Sequence, residues 1–103
     1  MKPLNSILIE GSLQDLPTFS VTNGLGSCTF NLTSGSSISS LPVIAFGKLA
    51  DNCNKLLDRG NDLRIVGHLS QDVEATTSTG SFRLVVVAEH IEVRPNRSHI
   101  GAA

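Results

Sequence analysis

Arg64, His68 and Arg83 are the residues of this chain whose type and spacing suggest chemistry. Each falls on the outward parity of a segment in which apolar residues alternate with polar ones, so a strand would carry all three on its solvent side. Cations ranged along one sheet face hold anions, and Arg64 and Arg83 are placed to line one basic face. Taken singly, each fits an ordinary solvent-facing charge at least as well. His68 shares the Arg64 face and has no metal-ligating companion, because His90 and His99 are distant and isolated. A polar surface histidine is the better reading. No Ser/His/Asp or Cys/His set accompanies these residues and no carboxylate pair falls on a recognisable scaffold, so catalysis is not expected, nor any cofactor. Asn23-Gly24-Leu25-Gly26 looks like a glycine-rich phosphate loop but precedes a strand rather than a helix. It lacks the helix N-terminus such loops need and reads as a turn.

The elements that position these residues are marked most clearly between Val43 and Leu69. Val43–Phe46 is an apolar run broken by Gly47. Leu49, Cys53, Leu56 and Leu57 then fall on one helical face. Asp51, Lys55 and Arg59 form an i, i+4 ladder oriented as the helix dipole prefers, and Gly60 stands where a C′ glycine belongs. Leu63, Ile65, Gly67 and Leu69 alternate with Arg64, Val66, His68 and Ser70, which predicts another strand.

Around this block, Leu4–Leu13 reads as a first strand with Ile7, Ile9, Gly11 and Leu13 on one face, and Gly11 is expected to mark a bulge or bend. Asp15–Pro17 turns the chain, Phe19–Val21 adds a short extended piece, and Asn23-Gly24 is a turn. Ser27–Thr33 is a second strand with Cys28, Phe30 and Leu32 inward. Ser34–Ser40 and Glu74–Ser81 read as polar loops, with Pro42 opening the third strand. Phe82–Val93 is a long final strand that Pro95 ends. One domain over residues 1–95 and a short tail over 96–103 are expected.

The 103 residues suffice for one modest core, and without Trp or Tyr that core must be mainly aliphatic. A formal charge of −1 gives no support from net charge for binding nucleic acid or an anionic membrane; any such binding needs charge segregated onto one face. Cys28 and Cys53 have neither metal nor disulfide spacing and read as small buried hydrophobes. No signal-peptide core follows Met1 and no apolar run reaches spanning length, so a cytoplasmic setting is expected. The final strand is apolar on both faces, Phe82, Leu84, Val86 and Ala88 against Val85, Val87, Ile91 and Val93, and in the first strand Leu8 opposes Ile7 and Ile9. Either a bulge switches parity or a second subunit covers the outer face. Five strands with a helix between the third and fourth is the order of the OB-fold, an all-β, partly open Greek-key barrel.

The segments Asn5–Leu13, Asn23-Gly24 followed by Cys28–Leu32, Val43–Ala50, Gly60–Leu69 and Phe82–Val93 together resemble bacterial single-stranded DNA-binding proteins, in order and over nearly the whole chain. The resemblance implies an oligomeric OB-fold protein, a dimer or tetramer, that binds single-stranded DNA without sequence preference in replication, repair and recombination in a bacterial cytoplasm and on the nucleoid. It further implies that Phe46 stacks a base, that Lys48 lies near the DNA path with Arg64 and Arg83 meeting phosphates, and that Lys2 and His68 are further candidate contacts. Ser40 and Glu74 stand where the family keeps tryptophans, Ser34–Ser40 shortens a loop that carries another aromatic, and the chain ends at Ala103 without the family's acidic tip. Each stacked base contributes about 1–3 kcal/mol, so weaker binding than is usual for the family follows, with steep salt dependence. RNA is an alternative ligand, because stacking accepts either nucleic acid. A protein-interaction or accessory replication-restart subunit with little DNA affinity is the alternative function.

Overall fold

The computed structural model describes residues 3–72 and 83–94. The expectations for Lys2, for Glu74–Ser81 and Phe82, and for the tail over 96–103 lie outside these residues. In chain order the elements are β1 (Ile7–Leu13), β2 (Thr18–Thr22), β3 (Leu25–Ser34), β4 (Ile38–Phe46), α1 (Gly47–Leu56), β5 (Asp62–Asp72) and β6 (Arg83–Arg94). The strands form one sheet in the order β1-β5-β6-β4-β3-β2, and β1 also pairs with β3 to close it. Among the described residues all pairings are antiparallel except β4 with β6. This is the expected OB-type barrel with its helix ahead of the penultimate strand. The described residues form six strands rather than five, because the short piece at Phe19–Val21 is a full strand. It pairs from Thr18↔Thr29 to Thr22↔Leu25 around Asn23 and Gly24, both at positive φ (52° and 80°), as a tight twisted hairpin requires.

Three boundaries differ from the sequence reading. The polar stretch Ser34–Ser40 is mostly strand, since β3 runs to Ser34 and β4 begins at Ile38. Its polarity suggested a loop, yet a ladder needs only backbone groups. The hydroxyls here add bonds of their own, Thr33 Oγ1 to the Ser39 carbonyl at 3.0 Å and Ser34 Oγ to the Glu10 carbonyl at 2.7 Å. Pro42 consequently lies inside a strand. It is tolerated because the β6 ladder touches only Val43 and Ile44. The first strand begins at Ile7 rather than Leu4. Ahead of it, the Asn5 side chain mimics a strand partner, donating to the Leu69 carbonyl (2.8 Å) and accepting from its N–H (2.9 Å).

The helix also ends earlier than its punctuation suggested. Its buried positions are Ala50 and Cys53, joined by Leu57 just past its end, whereas Leu56 is 67% exposed and does not belong to the packed stripe. Leu57 turns into the core in an extended conformation (φ −83°, ψ 137°), its N–H still bonded to the Cys53 carbonyl at 3.0 Å. Gly60 is therefore not C′. It takes φ 87° in the following loop, where its N–H donates to the Leu13 carbonyl at 2.9 Å and fixes the end of β1. Arg59 lies beyond the helix, so the charge ladder shrinks to Asp51 and Lys55.

The core is aliphatic, as composition demanded: Leu13, Leu32, Val43, Leu63, Ile65, Val86 and Cys28 are essentially sealed from solvent, with Phe30 beside them. Cys28 and Cys53 are free and buried. Burial raises both thiols above their ordinary range, Cys53 to about 12 with Cys28 adding to the effect, so they pack as protonated, small apolar groups.

The two-sided pattern of the last strand has a local cause. Val66 pairs with His90 but Gly67 pairs with Ala88, which leaves Glu89 without a register partner on β5. That bulge reverses parity. Val86 and Ala88 face inward before it, and Ile91, opposite Ile65, packs against the core after it, whereas Val93, opposite Leu63, stays 41% exposed near the strand end. Gly67 belongs to the device: a Cβ there would overlap the Val87 carbonyl oxygen and come within 3.2 Å of the Ala88 Cα. Gly11 marks no bulge, since the β1–β5 register runs unbroken through Gly11↔Leu63. It permits close approach where β1 passes from β5 to β3, because a Cβ would strike the Thr33 carbonyl oxygen and come 2.9 Å from Leu32 Cγ. On β1, Leu8 remains 70% exposed, and the bulge does not account for it.

Candidate functional site

The outward faces of β3, β4 and β6, together with the β1–β2 connection, bound a groove of about 440 Å³. Pro42, Ile44, Val85 and Val87 give it apolar walls, and Phe46 and Arg83 also line it, as do Asp15, Asn31 and Gln71. Strand alternation puts Phe46 there. Val43 and Ala45 take the inward positions of β4 and are buried, so Ile44 and Phe46 must face out. Phe46 is the last residue of β4 and the N-cap position of α1, with extended backbone (φ −124°, ψ 156°). At 44% exposed it does not belong to the packed core. A phenyl face left half in water beside a groove is a platform for a flat ligand.

The expected single basic face does not form. Arg64 and Arg83 share outward parity, but Arg64 pairs in register with Glu92 and Arg83 with Asp72. Asp72 is eight residues along β5 from Arg64, roughly 26 Å at about 3.3 Å per residue. Parity gives side, not place along a twisted sheet. Arg83 is on the groove and Arg64 is not. Arg64 instead grips Glu10, with Nε 3.0 Å and Nη2 2.9 Å from Oε2, and Arg94 donates to the same oxygen. The Arg64 hydrogen bond is the main cause that holds the Glu10 carboxyl below its ordinary range; desolvation opposes it, and the charges of both guanidiniums and the Arg94 hydrogen bond add to the lowering. His68 also keeps its predicted parity, and its Nδ1 lies 2.8 Å from Oε2 of Glu89, the extra residue of the bulge. Lys48, second residue of α1, is exposed and follows Phe46 closely in sequence without lining the groove.

Sequence reasoning missed Glu10 and Glu89 as partners, and Asp15, Asn31 and Gln71 as groove residues. Glu10 had a signal, outward parity on β1, that becomes useful only once β1 is known to lie against β5 with Glu10 opposite Arg64. Asp15 was read as a turn former, which it is. The Gln14 N–H donates to the Asn31 carbonyl at 3.3 Å, and this bond lays the turn along β3 at the groove. Among the described residues no group of three His, Cys, Asp or Glu side chains is placed to hold a metal ion.

No family model matches the chain, and no curated protein matches it in sequence. Solved structures do match in shape. The SSB domain of a Synechococcus protein superimposes with a TM-score of 0.73 at 12% identity, covering 88% of this chain and 97% of that domain. A deletion mutant of the single-stranded DNA binding protein from Thermus aquaticus superimposes with a TM-score of 0.76 at 24% identity, over 90% of this chain. This chain spans 42% of the length of that Thermus protein. At these identities the likeness establishes a shared OB-fold.

Proposed function

We propose that this chain binds single-stranded DNA along the Phe46 groove, tolerating any sequence, in the protection of exposed strands during replication, repair and recombination. The observation that carries the reading is the half-exposed Phe46 with Arg83 on one apolar-walled groove, in a fold shared with domains named for single-stranded DNA binding. A phenyl face stacks any base, and a nearby guanidinium meets the backbone between bases. Matched RNA would stack as well, and a competition between DNA and RNA oligomers ranks the two.

The placement of the cations revises the expected salt dependence. Arg64 and Arg94 are gathered on Glu10 and His68 on Glu89, away from the groove. Arg83, which lines the groove, and Lys48, close to Phe46 in sequence, are the candidate phosphate contacts by position. Two contacts on a single strand correspond to a slope of log K against log salt near −1.4, at about 0.7 per phosphate. Anisotropy titration of a labelled oligothymidine across salt measures it. A slope near −3 would mean that Arg64 and Arg94 leave Glu10 for phosphate. No binding at tens of micromolar protein in low salt overturns the proposal and favours the protein-interaction alternative.

We propose further that copies associate as a dimer or tetramer. Leu8, opposite Val66 on the outward face of β1 and β5, is 70% exposed, and Leu4 just before β1 is 93% exposed. Light scattering at micromolar concentration should give a multiple of 10.9 kDa, and a monomer mass contradicts it.

A further inference from the structure

We infer that the Phe46 groove reads the Watson–Crick edge of a base through Asp15 and favours guanine; this rests on the proposal that the groove binds single strands. Asp15 is the only acid among the described residues that line the groove. Glu10, Asp62 and Glu89 are each engaged, by arginines, by Ser12 Oγ at 2.8 Å and by His68 respectively. The Asp15 carboxylate makes no hydrogen bond or ion pair with the described residues. It is nonetheless held at the groove, because the Gln14 N–H is bonded to the Asn31 carbonyl just before it and Pro17 restricts the chain just after it.

An unengaged carboxylate beside a DNA path repels phosphate, so its favourable role is to accept hydrogen bonds from a base. The four bases differ sharply as donors. Guanine offers N1–H and an N2 amino hydrogen side by side, matching the two carboxylate oxygens. Cytosine and adenine offer one amino donor beside an acceptor nitrogen. Thymine offers N3–H between two carbonyls, whose oxygens would face the carboxylate. Asn31 and Gln71, on the same groove, carry amide donors suited to guanine O6. The apolar walls at Ile44, Val85 and Val87 displace water, so a mismatched base leaves polar groups poorly compensated rather than re-solvated. Phe46 supplies stacking to every base, and Asp15 adds a bias among them.

The test is anisotropy at low salt with a labelled strand of about 12 thymidines, the same strand carrying several guanines, and that strand with inosine in place of guanine, against wild type and Asp15→Asn. Inosine keeps N1–H and lacks the 2-amino group. The guanine strand should bind wild type roughly tenfold more tightly than the thymidine strand, with inosine between them. Asp15→Asn should bring all three within about twofold, because the amide offers a single acceptor oxygen where guanine presents two adjacent donors. Equal wild-type affinity for guanine and thymidine strands overturns the inference and leaves the binding proposal standing, as does a guanine preference that survives in Asp15→Asn. Failure of every strand to bind overturns both.

Discussion

Gly67→Ala is expected to lower the melting temperature by about 15 °C or to prevent folding. The site is buried at the β5–β6 bulge, and the added methyl would overlap the Val87 carbonyl oxygen with backbone, not a movable side chain, on every near side. Overpacking of this kind costs about 3 kcal/mol, and each kcal/mol moves the midpoint of a domain this size by roughly 4–8 °C. Relief would require β6 to withdraw from β5, which would undo the parity switch that turns Ile91 inward. Gly24→Ala is the informative contrast. Gly24 has φ 80° with nothing within 4 Å of an added methyl, so only backbone strain of about 1 kcal/mol is introduced. Thermal unfolding followed by circular dichroism separates the two, and equal midpoints would show that the close approach at Gly67 is not a constraint.

Phe46→Ala should weaken single-strand binding about 10- to 100-fold while leaving the fold nearly as stable as before. The affinity estimate follows from the roughly 1–3 kcal/mol that one base–aromatic stack contributes. The stability estimate follows from the exposure of the ring, which gives the core little to lose. Phe46→Trp should restore binding and provides a signal of its own, because the chain has no other tryptophan: its fluorescence should quench as an oligothymidine is added. Full affinity in Phe46→Ala would place the binding surface elsewhere, with the Arg64–Arg94 region as the next place to look.

The strand–helix–strand block from Val43 to Leu69 was readable because periodicity and punctuation agree there, and the inward set Cys28, Phe30 and Leu32 was readable for the same reason. The bulge was not. Nothing in Ala88-Glu89-His90 distinguishes a residue omitted from the register from one included in it, because the omission is decided across the ladder at Val66 and Gly67. Phe46 and Arg83 could be named in advance, but their shared groove could not, since it depends on β4 lying parallel beside β6. Arg64 was assigned to the same face from parity alone. Its true partner, Glu10, is 54 positions away in sequence, a separation at which local pattern carries no information. Gly60 shows the converse: positive φ was expected and found, but burial of Leu57 ended the helix ahead of it.

The closure of the barrel through β1 also sets an order of events during synthesis. Ile7 to Ser12 pair with Gly67 to Asp62, so β1, made before β5, must wait for it before gaining its main ladder. Until then its register partners among the described residues are Thr33 and Leu32, through Ser12 and Leu13. The β2–β3 and β3–β4 hairpins can assemble meanwhile, being local, whereas β1 remains an unpaired apolar segment with Leu4, Ile7, Leu8 and Ile9 in water. That interval is when a nascent chain is most open to capture by a chaperone or by another copy emerging from the same message.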